Sequence, residues 1–305
     1  MTKYRHYQIQ ASPVAEGVRL RIGDTTAFAV RQESKDVALR LRHEERPLRR
    51  TLRKLPFVRG MSRLVGGAAD FVDGIMESAE LQPQPIVKGN RFERRFAELF
   101  QVHPTAMVAF GSALVILILM IGLCLVAPMF AARYVQGLEG ITRARENAIV
   151  CAVRELGALI CMAIIPRLRV VNRLCMYRGA INKVVNAYVD GAGYVSQESA
   201  AKAPLLARRS DSAFIALTVL LSIAAFALVR TYTLPVQLLV RALIMLVVAG
   251  IVNEPVRWLE RQPRDRFAAK LLAPMQWLQR LFVARPHDQM IEVALFAFNA
   301  AREND

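Results

Sequence analysis

Residues 105–129, TAMVAFGSALVILILMIGLCLVAPM, run for 25 residues without one charged side chain. A helix rising about 1.5 Å per residue makes that run about 37 Å long, more than the roughly 30 Å hydrocarbon core of a bilayer. Few folds in water can hide such a segment. Composition agrees, with 54% apolar residues and a mean hydropathy of +0.28, values that lean toward the membrane class. Three further apolar stretches follow at 147–166, 212–229 and 235–252, the last two joined by the tight RTYTLP. The expected fold class is mainly α: a polytopic helical membrane protein of about four transmembrane helices, with a small N-terminal β-meander and amphipathic cytoplasmic helices.

The net charge of +16 is unevenly placed. Residues 1–103 hold 19 Lys/Arg against 12 Asp/Glu, and residues 167–209 hold 8 against 2, whereas 130–146 hold 3 against 2. Basic loops stay on the cytoplasmic side. Four spans then put both termini in the cytoplasm of a bacterial inner membrane. The expected partners are the lipid bilayer, anionic headgroups at the basic cytoplasmic loops, and another membrane protein. Nucleic acid is not expected, because no zinc, helix-turn-helix or groove-reading pattern accompanies the charge.

Three regions are expected. Residues 1–103 form a cytoplasmic N-terminal region. There GVRLRI, TAFAVRQ and DVALRLR alternate as three strands of a meander at about 12–46. An amphipathic helix follows at about 56–80, carrying Phe57, Met61, Leu64, Val65, Phe71, Val72 and Met76 on one face. RFERRFAELF predicts an interfacial helix at about 91–102. Residues 104–252 form the transmembrane bundle with a cytoplasmic loop at 167–210. Residues 253–305 form a cytoplasmic helical tail, divided by Pro274 and Pro286, with Asp288 opening its last helix and Trp258 and Trp277 as candidate interfacial anchors.

Charges within spans need protein partners, since each costs on the order of 3 kcal/mol at mid-helix. Glu155 and Arg241 fall at similar depth in the second and fourth spans and are expected to form an intramembrane ion pair. Cys124, Cys151, Cys161 and Cys175 lie in or beside apolar runs without a CxxC pair and read as small buried hydrophobes.

One polar stretch, CMYRGAINKVVNAY at 175–188, holds no Asp, Glu or His and reads as a basic amphipathic helix at a membrane surface. Together with VAEGVRLR, LPFVRG, VVAGIVNEPVR, QWLQRL and IEVAL, in this order, it resembles the YqhQ-like bacterial membrane proteins, a family of unknown function sometimes labelled predicted metal-dependent enzymes. The resemblance implies a YHGAEHK-like string at 177–183 and a HPRCGTSF-like string further on, a set of imidazole, carboxylate and thiolate suited to a borderline metal. This chain has Arg178, Ile181 and Asn182 at the first, and Ala207 and Ser210 at the second. The site is degenerate. No catalytic residue, metal ligand or cofactor is assigned, and His6, His43, His103 and His287 have no ligand spacing.

The polar residues that match the family are Glu16, Asn147, Arg154, Lys183, Glu254, Gln279 and Glu292. Arg19, Arg59 and Arg178 are candidate contacts for an anion or lipid headgroup, because guanidinium forks suit carboxylate and phosphate. The expected function is a non-catalytic membrane scaffold or regulatory partner, leaning away from an enzyme. The alternative is a membrane-embedded metal-dependent enzyme using ligands outside the motif. A small-solute transporter comes third, since no internal repeat is found.

Overall fold

The computed structural model describes residues 9–32, 36–43, 55–81, 116, 118, 119, 122–136, 142–191, 194–207, 211–226, 234–261 and 266–304. The interfacial helix expected at 91–102 and most of the first apolar run lie outside the described residues.

Four strands form one antiparallel meander: β1 Gln10–Val14, β2 Gly17–Ile22, β3 Thr25–Arg31 and β4 Val37–His43, in that order. Three were expected; β1 is the addition. Its Pro13 reads as a strand breaker, but β1 is an edge strand, where a missing N–H is tolerated, and Pro13 pairs with Val18. The β2–β3 turn places Gly23 at φ 55°, a backbone region that suits glycine.

Strand alternation sorts the sheet into two faces. Val18, Leu20 and Ile22 of β2 and Ala27 and Ala29 of β3 share one face, and all are buried. Two helices cover it. Arg169–Asp190 contributes Tyr177, Ala180, Ile181 and Val184, and Asp288–Glu303 contributes Ile291, Ala294, Ala297 and Phe298. Thr25 Oγ1 donates to the carbonyl of Asn304 at 2.8 Å, fastening the end of the last helix to the sheet. Stretches about 270 residues apart in sequence thus build a single cap core (Val18 to Ile291).

In chain order the helices are α1 (Val58–Leu81), α2 (Ala127–Gln136, preceded by a π-helical turn at Gly122–Val126), α3 (Arg143–Ile164), α4 (Arg169–Asp190), α5 (Gln197–Lys202), α6 (Asp211–Phe226), α7 (Leu234–Arg261), α8 (Arg266–Leu281) and α9 (Asp288–Glu303). The connection 167–210, where a basic amphipathic helix is expected at 175–188, holds the 22-residue α4 and the short α5. Pro274 does not divide the tail: it lies inside α8, and the break falls at 282–287, around Pro286.

Among the described residues, two helices are long and apolar enough to cross a membrane: Arg145–Arg167 and Leu239–Trp258. The shorter α6 is also apolar. Its Thr218 and Ser222 are buried and return their hydroxyls to the carbonyls of Phe214 and Thr218, at 2.8 and 2.7 Å, leaving neither unsatisfied. Gly157 of α3 lies so close to the preceding segment that an added Cβ would sit 2.4 Å from the carbonyl oxygen of Leu123. Small residues permit such close helix packing.

Candidate functional site

The polar groups gather where the cap meets the apolar helices, and α4 organises them. Glu16 stands in the β1–β2 turn with φ 54°, an uncommon conformation for a non-glycine residue. Its side chain is buried and accepts a two-pronged bond from Arg173 of α4. Tyr177, one turn further, reaches the same carboxylate at 3.5 Å. Burial opposes the charge on Arg173, but the Glu16 pair outweighs it and leaves the guanidinium more firmly protonated than usual. Burial also drives the Tyr177 hydroxyl upward, helped by the Glu16 charge.

A second cluster joins α1 to α6 and α7. An added Cβ on Gly60 would lie 2.3 Å from the carbonyl oxygen of Ala249, so α1 and α7 touch backbone to backbone. That approach brings Arg59 against Glu254, with Nε donating to Oε1 at 2.7 Å and a second, shorter bond from Nη2. The Arg59 pKa is raised by this hydrogen bond. One turn on, Arg63 donates to Asp211 Oδ1 at 2.8 Å and to Asn253 Oδ1 at 3.2 Å, while its guanidinium lies 4.5 Å from the Phe214 ring centroid. Burial lowers the pKa of Arg178 of α4, and the charge of Asp211 partly offsets this.

A third cluster binds α4 to the segment after α5. Asn182 Nδ2 donates to the carbonyl of Leu205 at 3.1 Å, and Asn186 Nδ2 to those of Pro204 and Leu206 at 2.8 and 3.1 Å. Lys183 Nζ reaches the carbonyl of Ala201 at 2.5 Å. Gln279 of α8 is 1% exposed. With its amide turned so that donors meet acceptors, it bonds both the carbonyl and the N–H of Ala207, at 2.9 and 3.0 Å, and accepts from Asn182 at 3.2 Å. Gly179 admits the 283–286 strap, since a Cβ there would lie 2.2 Å from the carbonyl oxygen of Ala284.

A family described as "Protein of unknown function (DUF1385)" matches residues 55–304. The chain belongs to the DUF1385 family. The uncharacterised protein YqhQ of Bacillus subtilis (strain 168) is 25% identical over 293 residues, covering 94% of this chain and 89% of that one. No solved structure gives a significant match. Membership covers the helical part of the chain from just before α1 to the end of α9.

Within this DUF1385 member, the positions where the resemblance places a ligand set do other work. Ile181 is part of the apolar cap core. The Asn182 amide and the Ala207 backbone belong to the network around Gln279, and Ser210 lies outside the described residues. Among the described residues no three His, Cys, Asp or Glu side chains are grouped as a metal ion would need. Cys175, on the same helix, has its thiol pushed up by burial to about 11, partly offset by the Arg178 charge, so thiolate chemistry near neutral pH is disfavoured.

The other candidate residues are scattered over this frame. Arg19 reaches Asp70 at 3.2 Å and stacks over Phe28. Arg19 and Arg59 thus pair with different carboxylates, Asp70 and Glu254, while Arg178 feels the charge of Asp211. Arg241 lies 5.6 Å from the Phe226 ring centroid, with the like charge of Arg154 nearby, while Glu155 lies beside the α6 backbone at Ala224. Asn147 and Glu292 are exposed. Sequence reasoning missed Arg63, Asp70, Arg173, Asp211 and Asn253. One signal was present: Asp70, Asp73, Glu77 and Glu80 recur at helical spacing while Arg40 and Arg42 alternate on β4.

Proposed function

We propose that this DUF1385 member is an integral protein of the bacterial cytoplasmic membrane, acting as a non-catalytic scaffold or regulatory partner of another membrane protein. The observation that carries the membrane reading is outward-facing apolarity. Only 17% of the apolar window Arg145–Arg167 and 28% of Leu239–Trp258 is buried. A core helix of a water-soluble protein would be mostly buried, whereas a lipid-facing helix has no such need.

Cap assembly supports the topology. The sheet at 10–43, α4 at 169–190 and α9 at 288–303 share one core, so all three lie on one side of a bilayer. Each intervening stretch then crosses an even number of times. One pair of crossings falls between β4 and α4, the other is α6 with α7, and the basic cap faces the cytoplasm. Its basic loops attract anionic headgroups by about 1 kcal/mol per Lys or Arg near the surface.

The non-catalytic reading is supported by Asn182 and Gln279, whose amides are satisfied by the backbone at Leu205 and Ala207. These groups brace α4 against α8. The test is metal content of the detergent-purified chain beside a variant with the relatives' expected ligands: Arg178→His, Ile181→Glu, Asn182→His, Ala207→His and Ser210→Cys. The natural chain should be empty and the variant should take up metal. Stoichiometric metal in the natural chain would sink the reading and favour an enzyme with ligands outside the motif.

A further inference from the structure

Helix α1 is inverted for a helix in water, where an amphipathic helix turns its apolar stripe toward protein. Here Asp70, Asp73 and Glu77 turn inward, meeting Arg19, Arg42 and Arg40 of the sheet. Outward stand Val65 at 56%, Val72 at 56% and Met76 at 65% exposure, with Phe71 beside them. An exposed stripe of this kind marks a surface that something apolar covers.

The neighbour of that stripe indicates what covers it. Helix α1 starts at its backbone contact with Ala249 and Gly250, inside the apolar segment Leu239–Trp258. Val247 and Ile251 of that segment are themselves exposed, at 49% and 52%. Helix α1 therefore begins against an apolar segment that itself leaves apolar side chains exposed. We propose that α1 is an in-plane membrane anchor, its Val65–Met76 stripe seated at the headgroup–acyl boundary of the bilayer that α3 and α7 cross. This rests on reading α3 and α7 as spans.

A bilayer fits the stripe better than a second copy of the chain does. Protein interfaces combine an apolar centre with paired polar groups, whereas an interfacial helix needs apolar surface and the absence of repulsion. The Asp70, Asp73 and Glu77 carboxylates are engaged by arginines on the sheet side. None of these three is left to repel anionic headgroups. The same contacts hold the sheet against α1, so an anchored α1 would fix the cap's height and tilt at the membrane.

The test uses the full chain with Cys124, Cys151, Cys161 and Cys175 changed to Ala, carrying Val72→Cys or, as control, Glu198→Cys. Each variant is labelled with a polarity-sensitive fluorophore and reconstituted into vesicles of phosphatidylcholine and phosphatidylglycerol with acyl-brominated lipid. At residue 72 the emission should shift to the blue, lose iodide quenching and gain bromine quenching; at residue 198 iodide should quench freely. Flotation and alkaline carbonate washing of the same vesicles report insertion separately. An inserted chain whose residue-72 label iodide quenches as fully as the control overturns the anchor and leaves the spans standing. A chain stripped by carbonate overturns both. Shielding without bromine quenching, together with 72-to-72 crosslinks between copies, assigns the stripe to a dimer and overturns the proposal. Should the cysteine-free chain not fold, Val72→Trp in a Trp258→Phe, Trp277→Phe chain gives the same readout.

Discussion

The cap and the apolar helices hide opposite surfaces. Between the sheet, α4 and α9, Leu20, Tyr177, Val184 and Phe298 are almost wholly enclosed, and each such side chain contributes about 1.5–3 kcal/mol by leaving water. Along α7, Leu239, Leu243, Val247 and Ile251 point outward. The cap is a core made for water and depends on closure. In the membrane reading proposed above, the apolar helices depend instead on hydrogen bonds kept within each helix. Between them lies a polar seam that belongs to neither, and the largest effects of mutation are expected at its most buried points.

The largest is expected at Arg173→Met. It strands Glu16, whose side chain is 5% exposed, and breaking one partner of a buried pair costs about 3–5 kcal/mol. Chemical unfolding in detergent should show the cap melting early while the helicity of the bundle persists. Adding Glu16→Gln should restore most of the loss, because the uncompensated charge is then gone. If cap and bundle still melt together, the contrast drawn above fails.

Next comes the seam between α1 and α7. Gly60→Leu forces a side chain into the space of the Ala249 carbonyl and the Asn253 Cβ, an overpacking of roughly 3 kcal/mol. Gly67, in the same helix, has nothing within 4 Å of an added Cβ. There Gly67→Ala should stabilise by up to about 1 kcal/mol through helix propensity alone. Thermal shifts of the same sign for the two variants would deny the seam its special packing.

How much of this could be read in the sequence follows from which interactions are local. Alternation in GVRLRI, TAFAVRQ and DVALRLR is a property of single strands, and all three appear as β2, β3 and β4. Pro13 hid β1 because its tolerance depends on an edge that only the assembled sheet defines. The helix at 175–188 was legible, but not its place: Tyr177, Ala180 and Val184 are buried by β2 and by α9, more than a hundred residues away in sequence in each case. The apolar side of α1 was also legible, while its outward direction was not, because that is decided by arginines on three separate strand positions. Ion pairs such as Arg63 with Asp211 join residues 148 apart. No spacing rule reaches that far.

A smaller effect is expected from pH, and it separates burial from charge pairing within the cap. The Cys175 thiol titrates near 11 in the folded chain against an ordinary 9.0. Between those values the folded state holds more protons than the unfolded one, so stability falls as pH rises. The thiol's contribution is whole below the ordinary value and is lost as pH climbs toward the folded one. Going from about pH 8 to about pH 10.5, it should cost about 2 kcal/mol. Cys175→Ala removes that part and leaves the part due to Tyr177, whose hydroxyl is shifted the same way. Equal alkaline slopes in both chains would mean that Cys175 sees more water than its position between α4 and the 283–286 strap provides.

The smallest effect is expected at the outer end of the α1–sheet interface, where Arg40 meets Glu77 and Glu80 with its own side chain 45% exposed. Exposed ion pairs lose in side-chain entropy and salt screening much of what they gain in attraction. Arg40→Gln should leave the melting temperature within experimental scatter, and any residual difference should vanish in high salt. The inner end, Arg19 with Asp70, is enclosed at 5% and 10% exposure. A loss at Arg40 as large as that at Arg173 would mean that solvent does not reach this edge, which is what a bilayer drawn up against α1 would bring about. Measured in vesicles as well as in micelles, the same variant therefore compares the two environments, and a difference between them would locate the water boundary along α1.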